Sequence, residues 1–254
     1  VRDVIDLNCD MGESLGVYKL GFDEEVIPWV SSVNIACGFH ASDPVNMQNS
    51  VRLAKQYGAA VGAHPSYPDL RGFGRRVLAA SPEEIKADVI YQVGALYGFC
   101  LAEGVKMSHV KAHGALYNVA ARDLQTAVAI AEAVKAIDSK LYLICLANSV
   151  MVDAARSVGV KFILEAFADR EYTADGQLLS RKCSGAVIED AQVVAYRAVQ
   201  IAKNGLVKAV DGEEISVPAD TICVHGDTPG AVMIVKEINQ ALKRAGIKIK
   251  SAIA

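Results

Sequence analysis

Val4-Ile5-Asp6-Leu7-Asn8-Cys9-Asp10, running on into Met11-Gly12-Glu13-Ser14, alternates polar and apolar residues with a period of two. Successive side chains of a β-strand point to opposite faces. The run therefore predicts a strand with Asp6, Asn8 and Asp10 on one face and Ile5, Leu7 and Cys9 on the other. The pattern returns along the chain. Val33–His40 sets Asn34 and His40 opposite Ile35 and Cys37, and His109–Gly114 sets His109, Lys111 and His113 opposite Val110 and Ala112. Phe162–Arg170 sets Glu165 and Asp169 opposite Leu164 and Ala166, and Thr221–Asp227 sets Thr221, His225 and Asp227 opposite Ile222 and Val224. Ala60–Pro65 ends on His64-Pro65, and Leu141–Ala147 is an apolar run. An unpaired charge in an apolar interior costs roughly several kcal/mol or more. Faces that collect this many titratable groups belong around a ligand or a reaction.

Helical segments separate these runs. Ser42-Asp43-Pro44 opens a helix over Val45–Tyr57, with a capping residue followed by proline in the first turn. Ser81 and Glu84 have the capping-box spacing and start a helix that reaches about Glu103, with Val89, Val93, Leu96 and Tyr97 on its apolar face. Further helices are expected near Phe22–Val30 and Ser149–Val158, and over Leu124–Ala136, Glu189–Lys203 and Ala231–Ala245, with a hairpin around Asp211-Gly212 inside Gly205–Ala219. Strands joined through helices imply a parallel sheet. The polar strand ends come from the whole length of the chain, as in a barrel whose site forms at the C-terminal ends of its strands; an open sheet would concentrate them at one switch point. The expectation is an α/β fold: one distorted seven-stranded (β/α) barrel domain over residues 1–254.

Composition narrows the function classes. Of 254 residues 52% are hydrophobic and 22% charged, enough apolar material for a large core, and the net charge is −3. No basic stripe is present, which argues against nucleic acid and anionic membrane as partners. No apolar run approaches the roughly 18 residues of a membrane span, and the N-terminal stretch lacks the pattern of a signal peptide. None of the six cysteines has CxxC spacing. Cys9, Cys37, Cys145 and Cys223 are expected on the apolar faces of their strands, as small hydrophobes of a cytoplasmic protein; Cys9, beside Asp10, is the candidate for the alternative role of nucleophile.

Six motifs carry the candidate chemistry. Asp10 can take a proton from water or hold a metal, whereas Asp6 fits a bracing role at the barrel bottom. His40, after Gly38, ends the second run, and Asp43 caps the next helix. The loop Gly62–Arg76 contains His64, Arg71, Arg75 and Arg76 and suits a lid over His64, with an arginine to grip a carboxylate or phosphate. Lys111 and His113 share a face, and a buried lysine needs an anionic partner; either can also polarise a carbonyl. Glu165 faces inward, with Arg170 at the mouth. His225 and Asp227 resemble a base and its orienting acid before a helix N-terminus. No GxSxG, P-loop or GxGxxG occurs, so serine-hydrolase and nucleotide-binding readings lack support.

From Asp6-Leu7-Asn8-Cys9-Asp10-Met11-Gly12-Glu13 to His225-Gly226-Asp227, these six blocks in this order resemble the LamB/YcsF family, that of the A subunit of bacterial 5-oxoprolinase. The resemblance implies a seven-stranded barrel related to glycoside hydrolases and polysaccharide deacetylases. It implies ATP-dependent hydrolytic opening of 5-oxoproline to glutamate together with separate B and C subunits. ATP would be bound by those partners, which would activate the lactam by phosphorylating its amide oxygen, and this chain would add water. Asp10 or His225 would be the base and Lys111 or His113 would stabilise negative charge. His40, His64, Glu165 and Asp227 complete the catalytic candidates, and Asn8, Arg71, Arg75 and Arg170 the substrate contacts. Two alternatives stand beside this one. A metal-dependent deacetylase or carbohydrate hydrolase would use Asp10, His40 and His64 as ligands of a divalent ion. A non-catalytic binding protein would only hold substrate for its partners.

Overall fold

The computed structural model describes residues 3–224 and 230–253. Strands β1 (Val4–Met11), β2 (Ser32–Ala36), β3 (Ala60–His64), β4 (Met107–Val110), β5 (Tyr142–Leu146) and β6 (Lys161–Phe167) follow one another around a parallel sheet. The hairpin of β7 (Leu206–Lys208) and β8 (Glu214–Ser216) interrupts the rhythm, as the Asp211-Gly212 turn predicts. β9 (Thr221–Val224) then pairs with both β6 and β1. Asn8 lies opposite Cys223 on one side of β1, and Asp10 opposite Asn34 on the other. The seven strands therefore close into a barrel.

The helices are α1 (Asp23–Val26), α2 (Pro44–Tyr57), α3 (Pro82–Ala102), α4 (Gly114–Ala120), α5 (Leu124–Ile137), α6 (Val150–Val158), α7 (Ala191–Asn204) and α8 (Ala231–Arg244). Their starts follow from their caps. Asp43 accepts from the amides of Val45 and Asn46, and Ser81 and Glu84 form the reciprocal capping box. Each such cap is worth about 1 kcal/mol. Val89, Val93 and Leu96 turn α3 inward and are fully buried, while Tyr97 is only partly covered. Leu7, Ile35, Val61 and Val110 fill the layer between strands and helices, at about 1.5–3 kcal/mol for each such side chain removed from water.

Four details depart from the sequence pattern. β2 stops at Ala36, so His40 sits in the loop beyond it and does not end the strand. Helix α4 follows β4 directly; it is short, starts on a glycine and has no side-chain cap, so nothing local announces it. It is held by tertiary contact, the Ala115 amide donating to the Gly74 carbonyl at 2.8 Å. A two-residue strand, β10 (Lys248–Ile249), pairs with the start of β1. Cys223 shares the inward face with Thr221, and its sulfur lies 3.0 Å from Lys111 Nζ, not in the apolar layer. Among the described residues no helix is long and apolar enough to cross a membrane.

Candidate active site and candidate metal cluster

The barrel interior is a ladder of polar side chains rising to one mouth. At the bottom, Asp6 accepts from Ser31 (2.5 Å), Ser32 (2.7 Å) and Thr221 (2.6 Å). Burial pushes its carboxyl above the usual range, and the hydroxyls tie three strands together. One layer up, Asn8 Nδ2 donates to Glu165 Oε1 (3.0 Å) and Thr221 Oγ1 (2.7 Å), while its Oδ1 accepts from Asn34 (2.8 Å) and Lys111 (3.3 Å). An amide with both donors and both acceptor positions engaged positions its neighbours. Asn8, expected as a substrate contact, is fully buried beneath the cavity with its amide engaged on both sides. His109 continues the layer by bonding Asn34 Oδ1 (2.8 Å) and Ser108 (2.8 Å).

Lys111 is the centre of the next layer. Its Nζ lies 2.9 Å from Glu165 Oε1 and 3.1 Å from Asp10 Oδ1, and 5.4 Å from the centre of the Phe167 ring. Burial alone would lower the lysine, but the carboxylates of Asp10 and Glu165 outweigh it and hold the ammonium well above its ordinary range. Tyr117 donates to Glu165 Oε2 at 2.7 Å. Asn34 donates to Asp10 Oδ1 at 2.8 Å, and Asp10 Oδ2 lies 3.2 Å from His64 Nε2. Asp10 therefore joins the lysine layer to a histidine cluster above it.

That cluster consists of His40, His64, His113 and Glu13. One ligand-type atom from each lies within 4.8 Å of the others. His64 Nδ1 meets the Lys111 carbonyl at 2.7 Å, and His113 Nε2 meets the Phe73 carbonyl at 2.9 Å. The inward nitrogens, His64 Nε2 and His113 Nδ1, are 3.0 Å apart. His40 stacks on His113 with ring centres 3.7 Å apart, and its Nε2 lies 3.3 Å from Glu13 Oε1. Burial first, and then the neighbouring imidazoles, push His40 and His113 well below the ordinary histidine range, so both rings are neutral at pH 7. The sequence pattern alone assigns Glu13 no role. Gly12, at φ +72°, turns the chain beyond β1 and brings Glu13 to the cluster; its one sequence signal is that of a second acid after the strand end.

Of the expected residues, Asp10, His64, Lys111, His113, Arg75 and Arg170 line one cavity of about 740 Å³ at the C-terminal ends of the strands, together with Glu13 and Tyr117. His40 and Glu165 are buried behind this lining. Arg71 is exposed and does not line the cavity, and Arg76 is committed to Asp69. Arg170 lends its guanidinium to the carbonyls of Leu179 (2.6 Å) and Ala186 (3.3 Å), and burial lowers it to about 10. Arg122, Arg181 and Lys182, none of which the sequence singles out, add positive charge to the rim. The loop expected as a lid roofs the histidines: Phe73 packs edge-on against His40 and His113 at 5.5 and 5.3 Å. Cys9 does not lie in this lining, and burial raises its thiol well above the ordinary range, which removes it as a nucleophile. His225 and Asp227 lie outside the described residues.

Comparison with known proteins finds relatives along nearly the whole chain. The chain is 52% identical over 247 residues to the 5-oxoprolinase A subunit of Chloroflexus aggregans, covering 97% of this chain and 98% of the relative. It is 49% identical to the 5-oxoprolinase A subunit of Pyrococcus horikoshii, over 96% of each chain. The crystal structure of the lactam utilization protein from Thermus thermophilus superposes with a TM-score of 0.93 at 49% identity, over 97% of this chain and 99% of that one. The LamB/YcsF family model matches residues 5–254, and the chain belongs to the LamB/YcsF family.

Proposed function

We propose that this chain is the lactam-opening component of an ATP-dependent 5-oxoprolinase, acting with separate B and C subunits. The observation that carries the reading is Lys111, held between Asp10 and Glu165 at the floor of a cavity with a cationic rim, in a chain about half identical to relatives named as the A subunit of 5-oxoprolinase. The substrate is a small anion, and Arg75, extended over the Phe73 ring at the cavity wall, suits its carboxylate. The cavity exceeds what one five-membered lactam fills, which leaves room for a phosphoryl group added by the partners.

Opening of the phosphorylated lactam requires water to add to the activated carbon, a base to take its proton, and the nitrogen to gain one as the C–N bond breaks; the acyl phosphate so formed releases phosphate to a second water. Asp10 suits the base. Lys111 and Asn34 hold its Oδ1, which orients the carboxylate, and its Oδ2 faces the cavity side at His64. Lys111 is a fixed positive charge beside the place where negative charge develops. Glu165, buried behind the lining, pairs with that ammonium and is itself held by Tyr117. ATP chemistry is assigned to the partners, because the sequence has no phosphate cradle.

The test is lactam opening by the chain alone, by the B and C subunits alone, and by the mixture, each with ATP. Glutamate should form from 5-oxoproline only in the mixture. ATP-driven turnover by the isolated chain, or full turnover without it, would contradict the proposal.

A further inference from the structure

We infer that Glu13, His64 and His113 form a divalent transition-metal site, zinc-like in its preferences, open to the cavity. The tautomers carry the argument. A backbone carbonyl only accepts, so His64 Nδ1 at 2.7 Å from the Lys111 carbonyl must bear a proton, and so must His113 Nε2 at 2.9 Å from the Phe73 carbonyl. The other ring nitrogens, His64 Nε2 and His113 Nδ1, face inward and lie 3.0 Å apart, with Asp10 Oδ2 3.2 Å from His64 Nε2. Fixing one ring nitrogen on a carbonyl while the other faces a common point is how proteins orient metal-binding imidazoles.

The spacings fit such a site. Zinc–nitrogen and zinc–oxygen bonds of about 2.0–2.2 Å place neighbouring ligand atoms roughly 2.9–3.5 Å apart, depending on the angle at the metal. The two imidazole nitrogens are 3.0 Å apart, and Glu13 Oε1 lies 3.7 Å from His113 Nδ1, so a small inward shift completes the set. His40 Nε2 donates to Glu13 Oε1 at 3.3 Å, and its Nδ1 is buried with no hydrogen-bond partner among the described residues. His40 is therefore a positioning residue that aims the carboxylate. Two imidazoles and a carboxylate are borderline ligands that favour zinc, cobalt or nickel over magnesium or calcium. All three proposed ligands line the cavity while His40 does not, so among the described residues the ion would face the substrate space, the arrangement of a catalytic rather than a structural ion. This set replaces the Asp10, His40 and His64 grouping expected from sequence. Asp10 Oδ1 is committed to Lys111 and Asn34, and its Oδ2, 3.2 Å from His64 Nε2, flanks the proposed set.

The inference does not depend on the lactam reading, and its test uses neither ATP nor partner subunits. Full-length chain stripped with a chelator is titrated with Zn²⁺ by calorimetry and with Co²⁺ by visible spectroscopy. One equivalent should bind, with cobalt d–d bands and no thiolate-to-cobalt charge-transfer band, since five of the six cysteines are buried and none lies in the set. Glu13→Gln and His113→Gln, each checked by circular dichroism for folding, should weaken binding by at least about 100-fold, whereas His40→Gln, which disturbs only an orienting contact, should weaken it by about 10–100-fold. Absence of stoichiometric binding would overturn the assignment. So would a thiolate band, or binding unchanged in folded Glu13→Gln and His113→Gln.

Discussion

Replacing Lys111 with methionine keeps the aliphatic stem and removes the charge. Two carboxylates, Asp10 and Glu165, then face each other inside the barrel with no cation between them, where Nζ had lain 3.1 and 2.9 Å away. Breaking a buried ion pair by removing one partner typically costs about 3–5 kcal/mol. In a chain of this size each 1 kcal/mol moves the melting temperature by about 2–4 °C, so Lys111→Met should lower it by about 10 °C. The informative comparison is Lys111→Met with Glu165→Gln. Glutamine removes the surplus negative charge but can accept from Tyr117 or from Asn8 and not from both, so the double variant should recover part of the loss, with a coupling of about 2 kcal/mol. Equilibrium urea unfolding of the wild type, both single variants and the double variant measures this. If Lys111→Met melts within about 2 °C of wild type, or if the two substitutions simply add, the reasoning about this layer is wrong.

Asp23 offers a pH test: its Oδ2 accepts the Gly12 amide at 2.7 Å, and burial pushes the carboxyl up to about 6. The unfolded carboxyl titrates near 4, so between about pH 4 and 6 the folded chain holds a proton that the unfolded chain has released, and stability falls as pH rises through that window. Asp23→Asn keeps the acceptor and should be more stable than wild type by about 1–2 kcal/mol at pH 7, with the advantage vanishing at pH 4; a less stable variant at pH 7 would reverse the conclusion. Gly62→Ala places a methyl group into the His109 ring, which is fully buried and bonded on both nitrogens. Overpacking of this kind should cost at least about 2–3 kcal/mol in urea unfolding, and wild-type stability would show that the inner layer has slack.

The barrel is legible because its signals are periodic and local. Alternation in Val4–Asp10 and Thr221–Asp227 puts Asp6, Asn8, Asp10 and Thr221 on the inward face, and their hydrogen bonds place them there in the structure. Caps at Asp43 and Ser81 fix helix starts to within a residue. What the sequence does not supply is partners. Asn8 and Arg71 look alike as polar residues near strand ends, yet one is saturated beneath the floor and the other faces solvent. Glu13 and Tyr117 become visible only once the turn at Gly12 and the tertiary docking of α4 bring them to the histidines and to Glu165. The parity of Cys223 matches Thr221 in the sequence itself, and its hydrophobic character conceals it.

The most direct test of the account is turnover of 5-oxoproline by the reconstituted complex carrying Asp10→Asn. Asparagine still offers an acceptor to Lys111 and Asn34, and Glu165 still pairs with the lysine, so the ammonium keeps a counter-charge and the stability loss should be smaller than the roughly 3–5 kcal/mol expected of Lys111→Met. Loss of a general base should slow turnover by about 100- to 10,000-fold. The account predicts this fall in rate in a variant that remains folded and melts above Lys111→Met; turnover near the wild-type rate from the folded variant would contradict it.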